Sequence, residues 1–314
     1  MEIDDEAAAA HADAALLNCV QHDLLLPVGE LWYLDALRST GETRTHALWM
    51  ARRHVISALV ASDEDLTRKH VVLNRILDAL GNLDEARAWA QRCLQRGVHW
   101  ENAYQRPSHY VRGLTSRPWH DPSGFELCRR LEASYSAIKA ELLDIMQVAE
   151  RADDLHRWGR VGDRAAVDGG LVSSGEWREF VLLGDSEECF ANRQRCPKTS
   201  AALSDRSEAW ECARLRVGEA LFSMLAPGSC LRTHCGPTNM RLTCHLGLIV
   251  PESCEISVGK GKPRTWSEGK CIVFDDSYEH FARNTSSQRR VVLLVNFWHP
   301  DIPPQEWKAR AQAV

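Results

Sequence analysis

The chain has 314 residues, 44% of them hydrophobic and 26% charged, with a formal net charge of -5. This composition excludes a wholly disordered chain, and the length allows one large domain or two unequal ones. The acidic balance gives no bulk attraction for nucleic acid or anionic lipid, and no stretch approaches the ~18 apolar residues of a membrane span.

The opening MEIDDEAAAAHADAALLNCV starts acidic and lacks the basic segment, sustained apolar core and cleavage pattern of a secretory signal, so a soluble, cytoplasmic protein is expected. The 11 cysteines are odd in number and scattered, which fits a reducing compartment. Cys189 and Cys196, separated by a polar loop, are the pair best suited to a disulfide. No Cys-x-x-Cys pair offers a structural zinc knuckle.

From about Ala47 to Gly97 apolar residues recur at three and four positions, which predicts helices. Leu80, Gly81, Leu83, Ala86, Ala90 and Leu94 resemble part of a tetratricopeptide helix hairpin, either a peptide-binding surface or a layer buttressing the next domain. At YQRPSHYVRGLTSRPWHDPSG, residues 104–124, proline, glycine and aromatics replace the helical pattern. The expected division is therefore a helical N-terminal region over 1–103 and a second domain over 104–314. A helix is expected from Phe125 to about Glu150, and then a polar, glycine-bearing segment leading to EWREFVLL.

The final 140 or so residues change rhythm. LFSMLAP, RLTCHLGLIVP, CEISVG, KCIVFD and RVVLLVNFW are short, rich in β-branched and other apolar residues, and separated by turn formers. They predict an antiparallel sandwich or jelly roll able to enclose a small site between its sheets. The connections are too short for crossover helices. No dinucleotide-binding or P-loop glycine pattern appears. The cations Lys260, Lys262 and Arg264 read as a solvated turn, with anion binding as the alternative.

His234, before the turn-prone GPTN, and His280, after DDSYE, are the distinctive histidines of this region. Neutral imidazole suits iron and other first-row metals, and a sandwich can bring such residues together. A two-histidine, one-carboxylate triad would need a third ligand. The position two after His234 is Gly236, which has none to give, while Asp275 and Asp276 could supply a carboxylate or hold a turn. Cys230, Cys235 and Cys244 as thiolate ligands would suit a softer metal such as zinc or copper, and they read mostly as structural residues. Arg290 could clasp a carboxylate if it faces inward, with Ser223 adding a hydroxyl. Arg241, Thr243 and His245 share one strand face by alternation.

HCGPTN, RLTCHLGLIVP, TWSEGKCIVFDDSYEH and RRVVLLVNFWHP together resemble the aspartyl/asparaginyl β-hydroxylase family of Fe(II)- and 2-oxoglutarate-dependent oxygenases, over much of residues 104–303. The resemblance implies an α+β protein: a double-stranded β-helix (jelly roll, cupin-like) oxygenase domain behind a helical, tetratricopeptide-like region. It implies a dioxygenase using Fe(II), 2-oxoglutarate and O2 to hydroxylate the β-carbon of an aspartyl or asparaginyl group in a peptide or small molecule. His234 and His280 would be the iron ligands, with Gly236 where related oxygenases carry an acid. Arg290 and Ser223 would clamp the far carboxylate of the cosubstrate, His245 its metal-proximal carboxylate, and Trp177 would form a pocket wall. Arg241 would hold the substrate's acidic side chain. Thr243 departs from the pattern, standing at a cosubstrate-binding position where the family has arginine. That departure keeps open a related oxygenase acting on an acyl or other small molecule, or a non-catalytic peptide-binding adaptor whose oxygenase domain has degenerated. The N-terminal helices would supply any protein contact.

Overall fold

A computed structural model describes residues 24–97, 99–151, 158–161, 171–184, 187–203 and 207–312. The opening twenty residues, read above for a missing signal, lie outside them. The chain divides into two compact units, the first ending at Ala103 and the second beginning at Tyr104.

The first unit is helical: α1 Leu25–Arg38, α2 Gly41–Ala61, α3 Leu66–Leu80 and α4 Leu83–Gln95. Helix α1 precedes the start at Ala47 expected from periodicity, as does the first turn of α2. Gly29 explains how α1 approaches α2, since a Cβ there would lie 2.6 Å from Val55 Cγ2. Val72, Leu73, Ile76 and Leu77 of α3 are buried, as are Ala86, Ala90 and Cys93 of α4. Between them Gly81 takes a left-handed φ of 73° and donates to the carbonyls of Asp78 and Leu77, closing α3 and starting the hairpin. Arg52 grips Glu85 from α2 to α4, with Nη2 2.6 Å from Oε1.

The second unit is built on two antiparallel sheets. Its strands are β1 Trp119–His120, β2 Gly159–Arg160, β3 Val172–Ser174, β4 Trp177–Leu183, β5 Ala220–Leu225, β6 Ser229–Leu231, β7 Arg241–Ile249, β8 Cys254–Val258, β9 Cys271–Phe274, β10 His280–Asn284 and β11 Arg290–Trp298. One sheet runs β1-β9-β7-β11-β5-β4-β2 and the other β3-β6-β10-β8. From β5 to β11 successive strands alternate between sheets, so every connection in this stretch crosses from one layer to the other. That is a cupin-like, double-stranded-β-helix-like arrangement.

The larger sheet is apolar on both faces. Phe180, Phe222, Leu242, Cys244, Leu246, Leu293 and Val295 pack on one side against Leu127, Leu131, Ile138 and Leu142. These last come from two helices, α5 Glu126–Ala133 and α6 Tyr135–Arg151. The single helix expected from Phe125 breaks at Ser134, whose N–H reaches the carbonyls of Arg130 and Leu131 and tightens the last turn. The break lets both segments turn their apolar stripes onto the same sheet. The other face meets the smaller sheet through Leu225, Leu231, Ile256, Val258, Trp266, Phe274, Ala282 and Val292.

Three short helices between β4 and β5, α7 Glu187–Arg195, α8 Pro197–Leu203 and α9 Glu208–Arg214, were not expected, and α7 replaces the polar loop read between Cys189 and Cys196. Cys189 and Cys196 are both buried and are not bonded to each other. No helix among the described residues is long and apolar enough to cross a membrane.

Candidate active site

Two segments bring His234 and His280 together. His234 lies between β6 and β7, and His280 opens β10. Their backbones form an antiparallel bridge: His234 N–H donates to the His280 carbonyl at 3.1 Å, and His280 N–H returns to the His234 carbonyl at 2.9 Å. The ring centroids lie 4.2 Å apart. Each ring is also held by its own backbone, His234 Nδ1 at 2.8 Å from the Arg232 carbonyl and His280 Nδ1 at 2.9 Å from the Tyr278 carbonyl. A carbonyl only accepts, so each Nδ1 carries the proton and each Nε2 presents a lone pair. Burial together with the neighbouring His280 ring pushes His234 down to about 3, and burial also lowers His280. Two neutral, backbone-oriented imidazoles with lone pairs on Nε2 form a donor set that suits a first-row divalent metal.

His245, on β7, has the opposite tautomer. Trp266 Nε1, which can only donate, lies 3.2 Å from His245 Nδ1. The His245 proton therefore sits on Nε2, a buried atom without a hydrogen-bond partner. Burial and the Arg290 charge hold this ring well below its usual range, so it stays neutral and offers an N–H. Phe274 connects the two histidine environments, its ring 5.0 Å from His245 and 5.9 Å from His280.

Arg290 starts β11 and is 2% exposed, a buried cation without a carboxylate partner among the described residues, whose guanidinium stacks 4.7 Å from the Trp266 ring. Burial lowers it to about 10, so it remains charged at neutral pH. Its Nη1 is 3.4 Å from the Ser223 carbonyl, while its Nε has no hydrogen-bond partner. Ser223 lies on the adjacent β5, opposite Val292, and its hydroxyl accepts from Trp177 Nε1 at 3.1 Å. Arg290, Ser223 and Trp177 thus form one polar corner, linked through Trp266 to His245. A buried guanidinium, a hydroxyl and two unused N–H groups match a small anion. Beside two imidazole lone pairs, they fit an anionic chelator together with a metal.

Arg241 and Thr243 are already engaged. Arg241 Nη2 pairs with Asp276 Oδ2 at 2.8 Å, and Nη1 donates to the Val217 carbonyl at 2.6 Å. Burial opposes the Arg241 charge, but Asp276 more than offsets it and holds the group above its usual range. Asp276 Oδ1 is buried without a hydrogen-bond partner. Gly236 lies against this carboxylate, and its N–H donates to the Asp276 carbonyl at 2.7 Å. Thr243 Oγ1 accepts from Asn296 Nδ2 at 2.9 Å, across the β7–β11 pairing.

Trp266, Phe274 and Asn296 were not read from sequence as site residues. Trp266 sits in a loop with no periodic signal, and Phe274 has the composition of an ordinary strand residue. Asn296 becomes relevant only through its register with Thr243.

Among the described residues, Cys128, Cys244 and Cys271 are the one group of three metal-ligating side chains whose donor atoms lie within 4.8 Å of one another. All three belong to the helix-facing apolar core. No carboxylate joins His234 and His280 at that spacing among the described residues.

A family profile described as Aspartyl/Asparaginyl beta-hydroxylase matches residues 132–300. The mouse protein "Aspartyl/asparaginyl beta-hydroxylase" is 35% identical over 241 residues, covering 74% of this chain and 30% of that protein. Human "Aspartate beta-hydroxylase domain-containing protein 2" is 41% identical over 140 residues, covering 43% of this chain and 37% of that protein. The chain therefore spans about a third of the length of these relatives. Among solved structures, AviO1 from Streptomyces viridochromogenes aligns over 60% of this chain and 99% of its own, with 13% identity and a TM-score of 0.37.

Proposed function

Since the chain belongs to the aspartyl/asparaginyl β-hydroxylase family of the Fe(II)/2-oxoglutarate oxygenase superfamily, we propose that it is an Fe(II)- and 2-oxoglutarate-dependent dioxygenase hydroxylating the β-carbon of an aspartyl or asparaginyl group, in a peptide or a small molecule. The observation that carries this reading is the pairing of opposite tautomers. His234 and His280 offer lone pairs where a cation would sit, and His245 offers an N–H beside them.

In this reading His234 and His280 hold Fe(II), with no protein carboxylate. When bound, iron and 2-oxoglutarate supply the O2-dependent oxidation of an unactivated C–H bond. The protein's own residues bind and orient. His245 Nε2–H would donate to the cosubstrate carboxylate nearer the metal. Arg290 and the Ser223 hydroxyl would receive the far carboxylate, and Trp177 would wall that corner. Trp266 keeps His245 in the donating tautomer while stacking on Arg290. The double-stranded β-helix, or jelly roll, holds both groups between its sheets. The N-terminal helices, read as a tetratricopeptide-like hairpin, would supply any protein contact.

The engagement of Arg241 favours a second reading of the substrate. With Asp276 already balancing its charge, Arg241 offers a net-neutral polar pair rather than a bare cation. The hydroxyl at Thr243 adds no charge. An asparaginyl amide or another neutral polar group fits this pair better than an aspartyl carboxylate, and a related small molecule fits equally well.

The test is anaerobic reconstitution with Fe(II) and 2-oxoglutarate, then exposure to O2 with aspartyl and asparaginyl peptides and free amino acids. Succinate release and a product heavier by one oxygen atom are expected. A well-folded protein that binds neither metal nor 2-oxoglutarate would overturn the assignment.

A further inference from the structure

Residues 104–116 cross both histidine-bearing segments, and we propose that Gln105 and Arg106 in this strap are positioning residues for His280. The inference rests on the reading of His234 and His280 as metal ligands. It begins at the Tyr278 carbonyl, which accepts the His280 Nδ1 proton and so fixes both the ring's tautomer and its orientation. That carbonyl is only as well placed as the backbone on either side of it, and the strap holds both sides.

On one side, Gln105 Nε2 donates to Asp275 Oδ2 at 3.0 Å and to Ser277 Oγ at 2.9 Å. On the other, Arg106 forms an ion pair with Glu279, and Glu279 N–H donates to the Tyr104 carbonyl at 2.7 Å. Tyr278 itself bridges Gln105 in an antiparallel pairing. Ser116 Oγ completes the tie, donating to Gln105 Oε1 at 2.6 Å while accepting from the Tyr278 hydroxyl at 2.6 Å. Gln105 and Ser277 are fully buried.

The same strap reaches the other histidine's segment. His109 N–H donates to the Pro237 carbonyl at 2.9 Å, and Val111 exchanges two hydrogen bonds with the Asn239 side chain, each 2.8 Å. Continuous backbone thus spans from the turn before His280 to the turn after His234. A buried ion pair is weak evidence for net stability, because desolvation opposes its attraction. Arg106–Glu279 makes better sense as a device for register: it holds Glu279, and through it the start of β10, in one place. The Tyr278 carbonyl is the partner one step beyond the ligand, the kind that commonly sets metal affinity by about 10- to 100-fold, and Gln105 and Arg106 act through it.

The test is anaerobic Co(II) titration of the full chain, followed by the d–d absorption of the bound ion, alongside steady-state turnover of 2-oxoglutarate. Gln105→Leu and Arg106→Met should each weaken Co(II) binding by about 10-fold, the lower end of what a ligand's direct partners supply, and lower kcat. KM for 2-oxoglutarate should stay within about twofold, because Arg290 is untouched. Arg106→Lys should recover most of the affinity. Arg106→Met removes the cation paired with the buried Glu279 carboxylate and can unfold the protein. The paired variant Arg106→Met/Glu279→Met removes both charges, keeps the volume, and should fold and still bind Co(II) weakly.

Folded Gln105→Leu and paired variants that bind Co(II) with wild-type affinity and spectrum would sink the strap while leaving the metal reading intact. If wild-type protein and His280→Ala show the same negligible Co(II) binding, the metal reading itself fails, and the strap proposal with it.

Discussion

Asp276 fills the space above Gly236. A Cβ built on that glycine would lie 2.7 Å from Asp276 Cγ and 2.8 Å from Oδ2, closer than real side chains approach. Position 236 therefore has no room for a carboxylate, quite apart from having none. Asp276 is itself anchored to Arg241, so it cannot swing aside without breaking a buried ion pair.

Restoring an acidic residue should therefore fail to build a working triad. Gly236→Asp is expected to displace Asp276, bring two carboxylates together and release Arg241. Gly236→Ala, which adds only the clash, should cost about 1–3 kcal/mol, the usual range for overpacking. Denaturant unfolding of both variants checks this, and a Gly236→Ala protein as stable as wild type would contradict the packing argument.

The two histidines should be indispensable to metal binding and dispensable to folding. His234→Ala and His280→Ala remove half-buried side chains while leaving the backbone bridge between the two segments in place, so the far-ultraviolet dichroism and melting transition should persist. Metal titration should show at least a ~100-fold loss, since each removes half of the imidazole set. Tight metal binding retained by either folded variant would place the ion elsewhere.

Arg290 should govern cosubstrate affinity rather than metal affinity. Charge-assisted hydrogen bonds are worth roughly 1.5–3 kcal/mol, so Arg290→Met should raise KM for 2-oxoglutarate by about 10- to 150-fold with Co(II) affinity nearly unchanged. A cosubstrate lacking the far carboxylate should discriminate poorly between wild type and variant. Equal 2-oxoglutarate KM values for the two proteins would remove Arg290 from the site.

A separate acid sensitivity is built into the helical unit. His70 is buried with neither ring nitrogen hydrogen-bonded, and burial lowers it to about 4. Its unfolded value is near 6.5. Between these limits the unfolded chain binds more protons, so stability is present above about pH 6.5 and is lost as pH falls towards 4. His120, lowered to about 4 by burial, acts in the same direction in the second unit. His70→Phe should flatten the helical unit's acid-side decline in melting temperature between pH 6.5 and 4.5. An unchanged slope would mean that His70 titrates normally.

The strongly alternating or continuously apolar segments were legible from sequence because their side chains face a packed layer. RVVLLVNFW is β11 over its full length, and RLTCHLGLI is β7. Strand β6, only three residues long, and strand β10, rich in polar groups, carried no comparable pattern. They form because neighbouring strands supply ladder partners, which a local reading cannot see. Helix α1 was missed because its apolar residues lie close together without a clean face, and the kink at Ser134 because both flanking helices read as one stripe.

At the site, residue types alone made His234, His280 and Arg290 only candidates, and it was the resemblance to the hydroxylase family that singled them out. Their protonation geometry was hidden, because it depends on carbonyls and an indole delivered from elsewhere in the fold. The Arg241–Asp276 pair was equally hidden: the partners are 35 residues apart, and each looked available for another task.

The paired backbone hydrogen bonds between His234 and His280 have a consequence for how an ion would come and go. The separation of the two donor rings is set by peptide groups, so it exists before any ion arrives. A structural zinc finger works the other way, with metal binding and folding forming one event. Under the proposed function an ion would meet a finished socket. Chelation should empty it without melting the domain, and readdition should restore it without refolding, leaving only the modest mass-action stabilisation that any ligand of the native state confers.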